Sequence, residues 1–462
     1  MIDLIVRGGQ VVLSDQVVET DIAVAEGKVL ALGAHRAFHP ARRTLDVHGC
    51  LVFPGAIDPH VHVRWPFLND TTGDRYEDAT IAAARGGTTT IIDYALTREN
   101  VGPLEALRDR RAQAEGQAVV DYAFHCVITR VTPQVLAEMA GLMEAGVPTF
   151  KMYMAYSRRG IMVDDASLYQ VARWASQRAA MLMVHGENGL VADLLEAEFL
   201  RDGKGAACYY PLFKPDFVEA EAVQRAVFWA SVTQARLYVV HLSTQKALES
   251  VQQAQRRGAR IYAETCPQYL VLDDTVYQRS DGHRFICSPP IRTAADADAL
   301  WKGLQEGAVA TIGSDHCAFS RAQKDRDAAD FSKVPNGLPG VETRFPLLFS
   351  AGVSQGRLTP VQLARVTSTN VARVHGLFPR KGIIAPGSDA DMVIVDPSAR
   401  QTLSAQSLHM VSDWSPYEGL ELRGYPAFTI ARGQVIVEGG EFRGEVGTGR
   451  FVPRSLSVPG GP

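Results

Sequence analysis

Between residues 51 and 314, short apolar runs alternate with longer helical stretches, and no other feature constrains the fold as strongly. The runs are 51–57, 88–92, 119–124, 149–153, 180–184, 237–240, 260–263 and 310–314. Such alternation predicts βα units laid on a parallel sheet. Eight of them predict a (β/α)8 TIM barrel, an α/β fold. An open doubly wound sheet is the alternative, but no GxGxxG follows the first strand. The two ends of the chain read differently. Short strands at 4–6, 10–13, 21–24 and 28–32 are separated by glycine-containing turns, and the same style returns at 391–395, 427–431 and 434–437. Neither end makes a core alone, so both termini are expected to build one small β-sandwich. The expected division is 1–52 and 375–462 for the sandwich halves, with 53–374 as the barrel. Residues 457–462 read as a loose tail.

Composition narrows the function. The 462 residues carry a net charge of −4, with 46% hydrophobic and 21% charged residues. This describes an ordinary globular protein and argues against nucleic acid or an anionic membrane as the main partner. No apolar stretch approaches the ~18 residues of a membrane span, and the strand-like start shows no signal peptide. Cysteines 50, 126, 208, 266, 287 and 317 form no CxxC pair. They read as small buried residues of a protein in a reducing cytoplasm.

The ionisable residues mark the strand ends. In Asp58-Pro59-His60-Val61-His62 the two histidines share one face if the run is extended, an arrangement that suits a divalent transition metal such as zinc. A single HxH is weak by itself. However, Lys151 lies in the fourth run, His185 ends the fifth, His241 ends the sixth and Asp315 ends the eighth. In a barrel these positions converge on the C-terminal face, where active sites form. Packing alone would not place four histidines, a lysine and an aspartate there. Lys151 sits amid Phe150, Met152 and Tyr153. Either its stem packs while the ammonium reaches solvent, or the amine is carboxylated by carbon dioxide. A cation beside two metal ions is disfavoured, whereas a carbamate could bridge them.

These residues resemble the cyclic amidohydrolases of the amidohydrolase superfamily, most of all the hydantoinases and dihydropyrimidinases. The resemblance rests on Pro54-Gly55-Ala56-Ile57-Asp58-Pro59-His60-Val61-His62, Phe150-Lys151-Met152-Tyr153-Met154-Ala155-Tyr156 and His185-Gly186-Glu187-Asn188-Gly189. It continues through Thr265-Cys266-Pro267-Gln268-Tyr269-Leu270, Ser288-Pro289-Pro290-Ile291-Arg292, Gly313-Ser314-Asp315-His316-Cys317 and Asn336-Gly337-Leu338-Pro339-Gly340-Val341-Glu342, nearly the whole chain. The resemblance implies a barrel with a terminal β-sandwich and often a homotetramer. It implies two zinc-like ions, one held by His60, His62 and Asp315 and the other by His185 and His241, with carboxylated Lys151 and a hydroxide between them. The hydroxide would attack a ring amide or imide carbonyl while Asp315 moves the proton to the leaving nitrogen. Tyr156 would stabilise the oxyanion, and Ser288 and Asn336 would clamp the ring amide, largely through backbone groups. The expected products of 5-substituted hydantoins or dihydropyrimidines are N-carbamoyl amino acids.

Several residues keep two readings. Glu187 and Asn188 either orient His185 or cap the next helix. His316 and His125 are expected to be structural. In His60-Val61-His62-Val63-Arg64 the arginine resembles the carboxylate-binding residue of dihydroorotases, whereas typical hydantoinases carry an acidic or amide residue there. Arg64 thus either binds an acidic ring, as in a dihydroorotase or allantoinase-like enzyme, or pairs with Asp70, Asp74 or Glu77. Tyr156, Cys317 and the Asn336-Gly337-Leu338-Pro339-Gly340 segment speak against dihydroorotase. Ala318 departs from the proline common in the family's motif. Trp65, Phe67 and Leu68 either line an apolar pocket or pack under the loop. A noncatalytic scaffold of the same fold is a further alternative, disfavoured because all six ligand positions are filled.

Overall fold

The apolar runs in the middle of the chain become buried parallel strands in the computed structural model, which describes residues 1–34, 38, 40–67 and 70–456. The strands are Ala56–Val61, Thr88–Leu96, Asp121–Val127, Thr149–Tyr153, Met181–His185, Arg236–Val239, Ile261–Thr265 and Thr311–Ile312. Each pairs in parallel with the one before it. Val61 bridges His316 in parallel, and the His62 N–H donates to the His316 carbonyl at 2.9 Å, which closes the ring. Helices such as Tyr76–Arg85, Pro103–Ala114, Pro133–Glu144 and Asp165–Ser176 cover the outside. With both faces covered, the strands read as continuous apolar runs. This is the (β/α)8 barrel that the alternation predicts.

The first strand differs from expectation. The run 51–57 splits at Gly55 into two strands of different sheets. Leu51–Pro54 pairs antiparallel with 392–395 and parallel with Gln10 and Val11, while Ala56–Val61 opens the barrel. A Cβ on Gly55 would lie 2.2 Å from Thr89 Oγ1 and 2.9 Å from Asp391 Cβ, so only glycine allows the chain to cross there. The third strand also begins and ends later than the run 119–124, which puts His125 inside it rather than beyond it.

Both termini build the second unit. A four-stranded sheet takes Lys28–Gly33, Asp21–Ala25, Ile2–Arg7 and Ala41–Asp46 in that order. A seven-stranded sheet runs from Glu441–Phe442 through Gln434–Glu438, Glu421–Ala431, Met392–Thr402, Leu51–Pro54 and Gln10–Val12 to Val17–Glu19. Leu4, Val6, Ile22 and Val24 share a core with Val52, Met392, Ile394 and Ile430, which neither terminus could form alone. The tail expected at 457–462 lies outside the described residues. Among the described residues, no helix is long and apolar enough to cross a membrane.

A buried ion cluster fastens this unit to the barrel. Lys381 Nζ lies 2.8 Å from Asp121 of the third barrel strand, 2.6 Å from Asp391 and 3.2 Å from Asp389. Arg432 adds a second cation on Asp121. The three carboxylates converge closely enough to hold a metal ion, but the ammonium already occupies their focus. Removing it would leave buried, uncompensated charge. Lys381→Met is therefore expected to destabilise the fold by about 3–5 kcal/mol. An unchanged midpoint in denaturant unfolding would contradict this role.

Candidate metal centre

Each predicted strand end delivers its side chain to one place. His60 belongs to the first barrel strand and His62 follows it. Both are buried, and their Nε2 atoms lie 3.2 Å apart. Asp315 Oδ1 lies 3.1 Å from His60 Nε2 and 3.2 Å from His62 Nε2. These three ligand atoms are close enough to share one ion. His241 stacks on His60 with ring centroids 5.5 Å apart, and His185 meets His241 edge-on at 4.6 Å. Lys151 enters from the fourth strand, fully buried, with Nζ 5.5 Å from the ring centroid of Tyr94 and 5.1 Å from that of Tyr153. It has no hydrogen-bond or ion-pair partner among the described residues.

Burial sets the charge states. It pushes His60 and His241 well below the usual imidazole range and lowers His185 as well. It brings Lys151 down to about 7, although Asp315 and Glu264 pull the other way. Burial pushes Asp315 upward, yet His60 and His62 hold it below its ordinary value. Neutral imidazoles, an amine easily deprotonated and an ionised carboxylate form a donor set that fits divalent transition metals. The buried Nδ1 atoms of His62 and His241 lack hydrogen-bond partners among the described residues.

The backbone is strained where these residues sit. His241, Asp315, Tyr156 and Arg64 have φ of 39°, 51°, 67° and 49°, four of the seven left-handed non-glycine residues among those described. Each such conformation costs about 1–3 kcal/mol and persists only when the surroundings fix it. Asp58 supplies part of that fixing. Its Oδ1 accepts the His60 N–H at 3.1 Å and the Ser314 N–H at 3.0 Å, and Arg344 lies 3.4 Å from its other oxygen.

Three supporting residues escaped the sequence reading. Glu264, in the seventh strand, lies 2.6 Å from His60 Nδ1 and accepts the Tyr238 hydroxyl at 2.7 Å and the His241 N–H at 3.2 Å. Burial raises it to about 7. Lys214 donates to Glu187 Oε2 at 3.0 Å and also to the Ser288 hydroxyl. Lys324 donates to the carbonyls of Ile286 at 2.8 Å and Pro335 at 2.6 Å, joining the segments that carry Ser288 and Asn336.

The open alternatives now resolve. Glu187 Oε2 contacts His185 Nε2 at 2.7 Å, whereas Asn188 caps the helix Gly189–Arg201 by accepting the Val191 N–H. His316 turns away to Asp74 and to the backbone N–H of Gly340, and His125 bonds Thr149 and the Pro59 carbonyl. Both are structural. The Ser288 hydroxyl is engaged by Glu187 at 2.6 Å and by Lys214. Tyr156 lies 5.1 Å from the His185 ring, and burial raises its phenol above the ordinary value. With Phe67, Lys214 and Asn336 it lines a cavity of about 110 Å³. Trp65 packs on His62 at 4.7 Å instead. Leu68 lies outside the described residues. Arg64 is exposed, with no ion pair among the described residues. Asp70 pairs with Arg326, Asp74 with His316 and Glu77 with Arg75.

The sequence profile of the amidohydrolase family matches residues 51–436. The chain belongs to the amidohydrolase family. Within it, this amidohydrolase falls among the hydantoinases and dihydropyrimidinases. It is 40% identical over 455 residues to a D-hydantoinase of Geobacillus stearothermophilus, covering 98% of this chain and 96% of that protein. It is 39% identical over 459 residues to a D-phenylhydantoinase of Escherichia coli K12, covering 99% of both. The crystal structure of a dihydropyrimidinase from Brevibacillus agri NCHU1002 superposes with a TM-score of 0.96 at 38% identity, covering 99% of both chains.

Glu264 orients His60 through Nδ1, the ring nitrogen opposite the one that meets His62 and Asp315. Glu264→Gln is expected to weaken metal retention about tenfold or more. Chelator competition followed by metal analysis measures this, and an unchanged competition curve would contradict it.

Proposed function

We propose that this amidohydrolase opens cyclic amide rings, namely 5-substituted hydantoins or dihydropyrimidines, and releases N-carbamoyl amino acids. The observation that carries the reading is the convergence of His60, His62, Lys151, His185, His241 and Asp315 at one end of the barrel, in a chain so similar to a D-hydantoinase and a dihydropyrimidinase. His60, His62 and Asp315 would hold one divalent ion, and His185 and His241 a second, with zinc suited to this donor set. Lys151, buried without an anionic partner, would carry a carboxyl group from carbon dioxide and lie between them. Bound ions of this kind supply an activated water and polarise the carbonyl under attack.

The chain's own residues do the rest. Asp315 is placed to accept the proton of the attacking water and return it to the leaving ring nitrogen. The Tyr156 hydroxyl stays protonated and donates to the carbonyl oxygen as negative charge develops. Ser288, whose hydroxyl is committed to Glu187 and Lys214, would offer its backbone groups to the ring amide, as would Asn336 from the cavity wall. Glu187 keeps His185 oriented. A noncatalytic scaffold would bind no metal tightly and is distinguished on that ground. All six cysteines are free thiols, in keeping with a reducing cytoplasm.

The same reading includes a homo-oligomer. Leu190 and Leu194 on one helix, Leu212 on the next, and Phe217, Phe228 and Val232 on Asp216–Thr233 are all exposed, Leu190 to 67%. So many large apolar side chains on neighbouring helices suit an interface between copies.

Zinc-loaded protein is expected to open 5-phenylhydantoin or dihydrouracil, while Lys151→Ala abolishes turnover and lowers the bound metal. Substantial turnover by that variant at full metal content would refute the role of Lys151. Leu194→Glu combined with Phe228→Glu is expected to shift sedimentation to the monomer. An unchanged sedimentation coefficient would contradict the interface.

A further inference from the structure

The mouth of the barrel holds a cation that neither the fold nor the proposed chemistry uses. Arg159 follows Tyr156 in a 3-10 turn, Ser157–Arg159. Its guanidinium lies 4.2 Å from the ring centroid of Phe67 and 5.0 Å from that of Tyr156, and it donates to the Pro66 carbonyl at 3.1 Å. These contacts hold the group flat and leave its remaining N–H donors available. Three of the four neighbouring cations are already neutralised, and the fourth, Arg98, does not line the small cavity beside Tyr156. Arg158 pairs with Glu196, Arg326 with Asp70 and Lys333 with Asp330. Asp193, the nearby acid, is held by the Ser157 hydroxyl. Arg159 has no ion pair among the described residues.

Its position is as informative as its charge. Arg159 lines the cavity of about 110 Å³ that contains Tyr156 and Asn336, and it also lines an adjoining cleft of about 1020 Å³. It therefore stands where a substituent leaving the ring would pass from the site towards solvent. The smaller cavity matches the space of three or four waters at ~30 Å³ each, enough for a short carboxyalkyl arm.

We propose that Arg159 is a specificity-determining residue that binds an anionic group on the substituent of the ring, so that preferred substrates carry a carboxylate on a short arm. This deepens the ring-opening reading and rests on it. A planar, partly desolvated guanidinium matches a carboxylate in two parallel hydrogen bonds. Arg64, exposed and without an ion pair among the described residues, lacks such a setting.

The test compares 5-(2-carboxyethyl)hydantoin with its neutral isostere 5-(2-carbamoylethyl)hydantoin on the metal-loaded enzyme. Wild type is expected to favour the carboxylate in kcat/KM by about tenfold or more, with the ratio falling as salt is raised. In Arg159→Gln the ratio should drop to near unity. Because both substrates are measured on the same variant, a general loss of activity cancels. The assignment is overturned if wild type shows no preference, if Arg159→Gln keeps it, or if Arg64→Gln alone removes it. No turnover of any ring, including 5-phenylhydantoin, would overturn the ring-opening reading itself.

Discussion

Lys151 is a fully buried amine with aromatic rings around it and no anion bonded to it among the described residues. A lone buried ammonium is costly, and proteins relieve that cost by pairing the charge, by releasing the proton or by changing the group chemically. The surroundings here offer no pairing. Four histidines and an aspartate face the same volume, and burial lowers the His60, His185 and His241 imidazoles towards their neutral form. The arrangement makes chemical sense once the amine is converted to an anion and cations fill the space between. The rest of the barrel serves this centre. Glu264, Asp58 and Glu187 fix these side chains from outside, and the strained backbone at His241 and Asp315 persists because the surrounding contacts hold it.

The Lys381 cluster illustrates the opposite solution. Its ammonium is just as buried, but three carboxylates surround it and hold it well above its ordinary value. One buried lysine is a structural fastener between the terminal sheets and the barrel, and the other is buried among aromatic rings with no counter-ion bonded to it among the described residues. Lys324 lies between these cases. Its hydrogen bonds among the described residues go to two carbonyls, with the Phe319 and Trp414 rings nearby, and burial lowers it to about 7. Its place makes it a brace between the segments that carry Ser288 and Asn336.

Much of this was legible in the sequence because the signal was local. A charged residue at the end of an apolar run is unusual, and in His60, His62, Lys151, His185, His241 and Asp315 that signal repeats at matched positions. The barrel follows from the same runs. Glu264 carried the same signal, a charge inside Ile261–Thr265, but the run was read as ending at Ala263. Lys214 and Arg159 lie in helical or turn segments far from any strand end, and only the closed barrel brings them to the site. Arg64 drew attention because it continues the HxH pattern, yet the turn after His62 leaves it exposed. Gly55 shows the limit of periodicity. The run 51–57 is continuous in hydrophobicity, and only the packing against Thr89 and Asp391 reveals that it serves two sheets.

The central claim is that a carboxylated lysine lies between two metal ions. Carbon-13 NMR of metal-loaded protein prepared in labelled bicarbonate, with the metal content of the same sample, tests it most directly. The account predicts one carbamate resonance, absent from Lys151→Ala, together with two divalent ions per chain. Two firmly bound ions without a carbamate resonance, or no firmly bound ion at all, would contradict it.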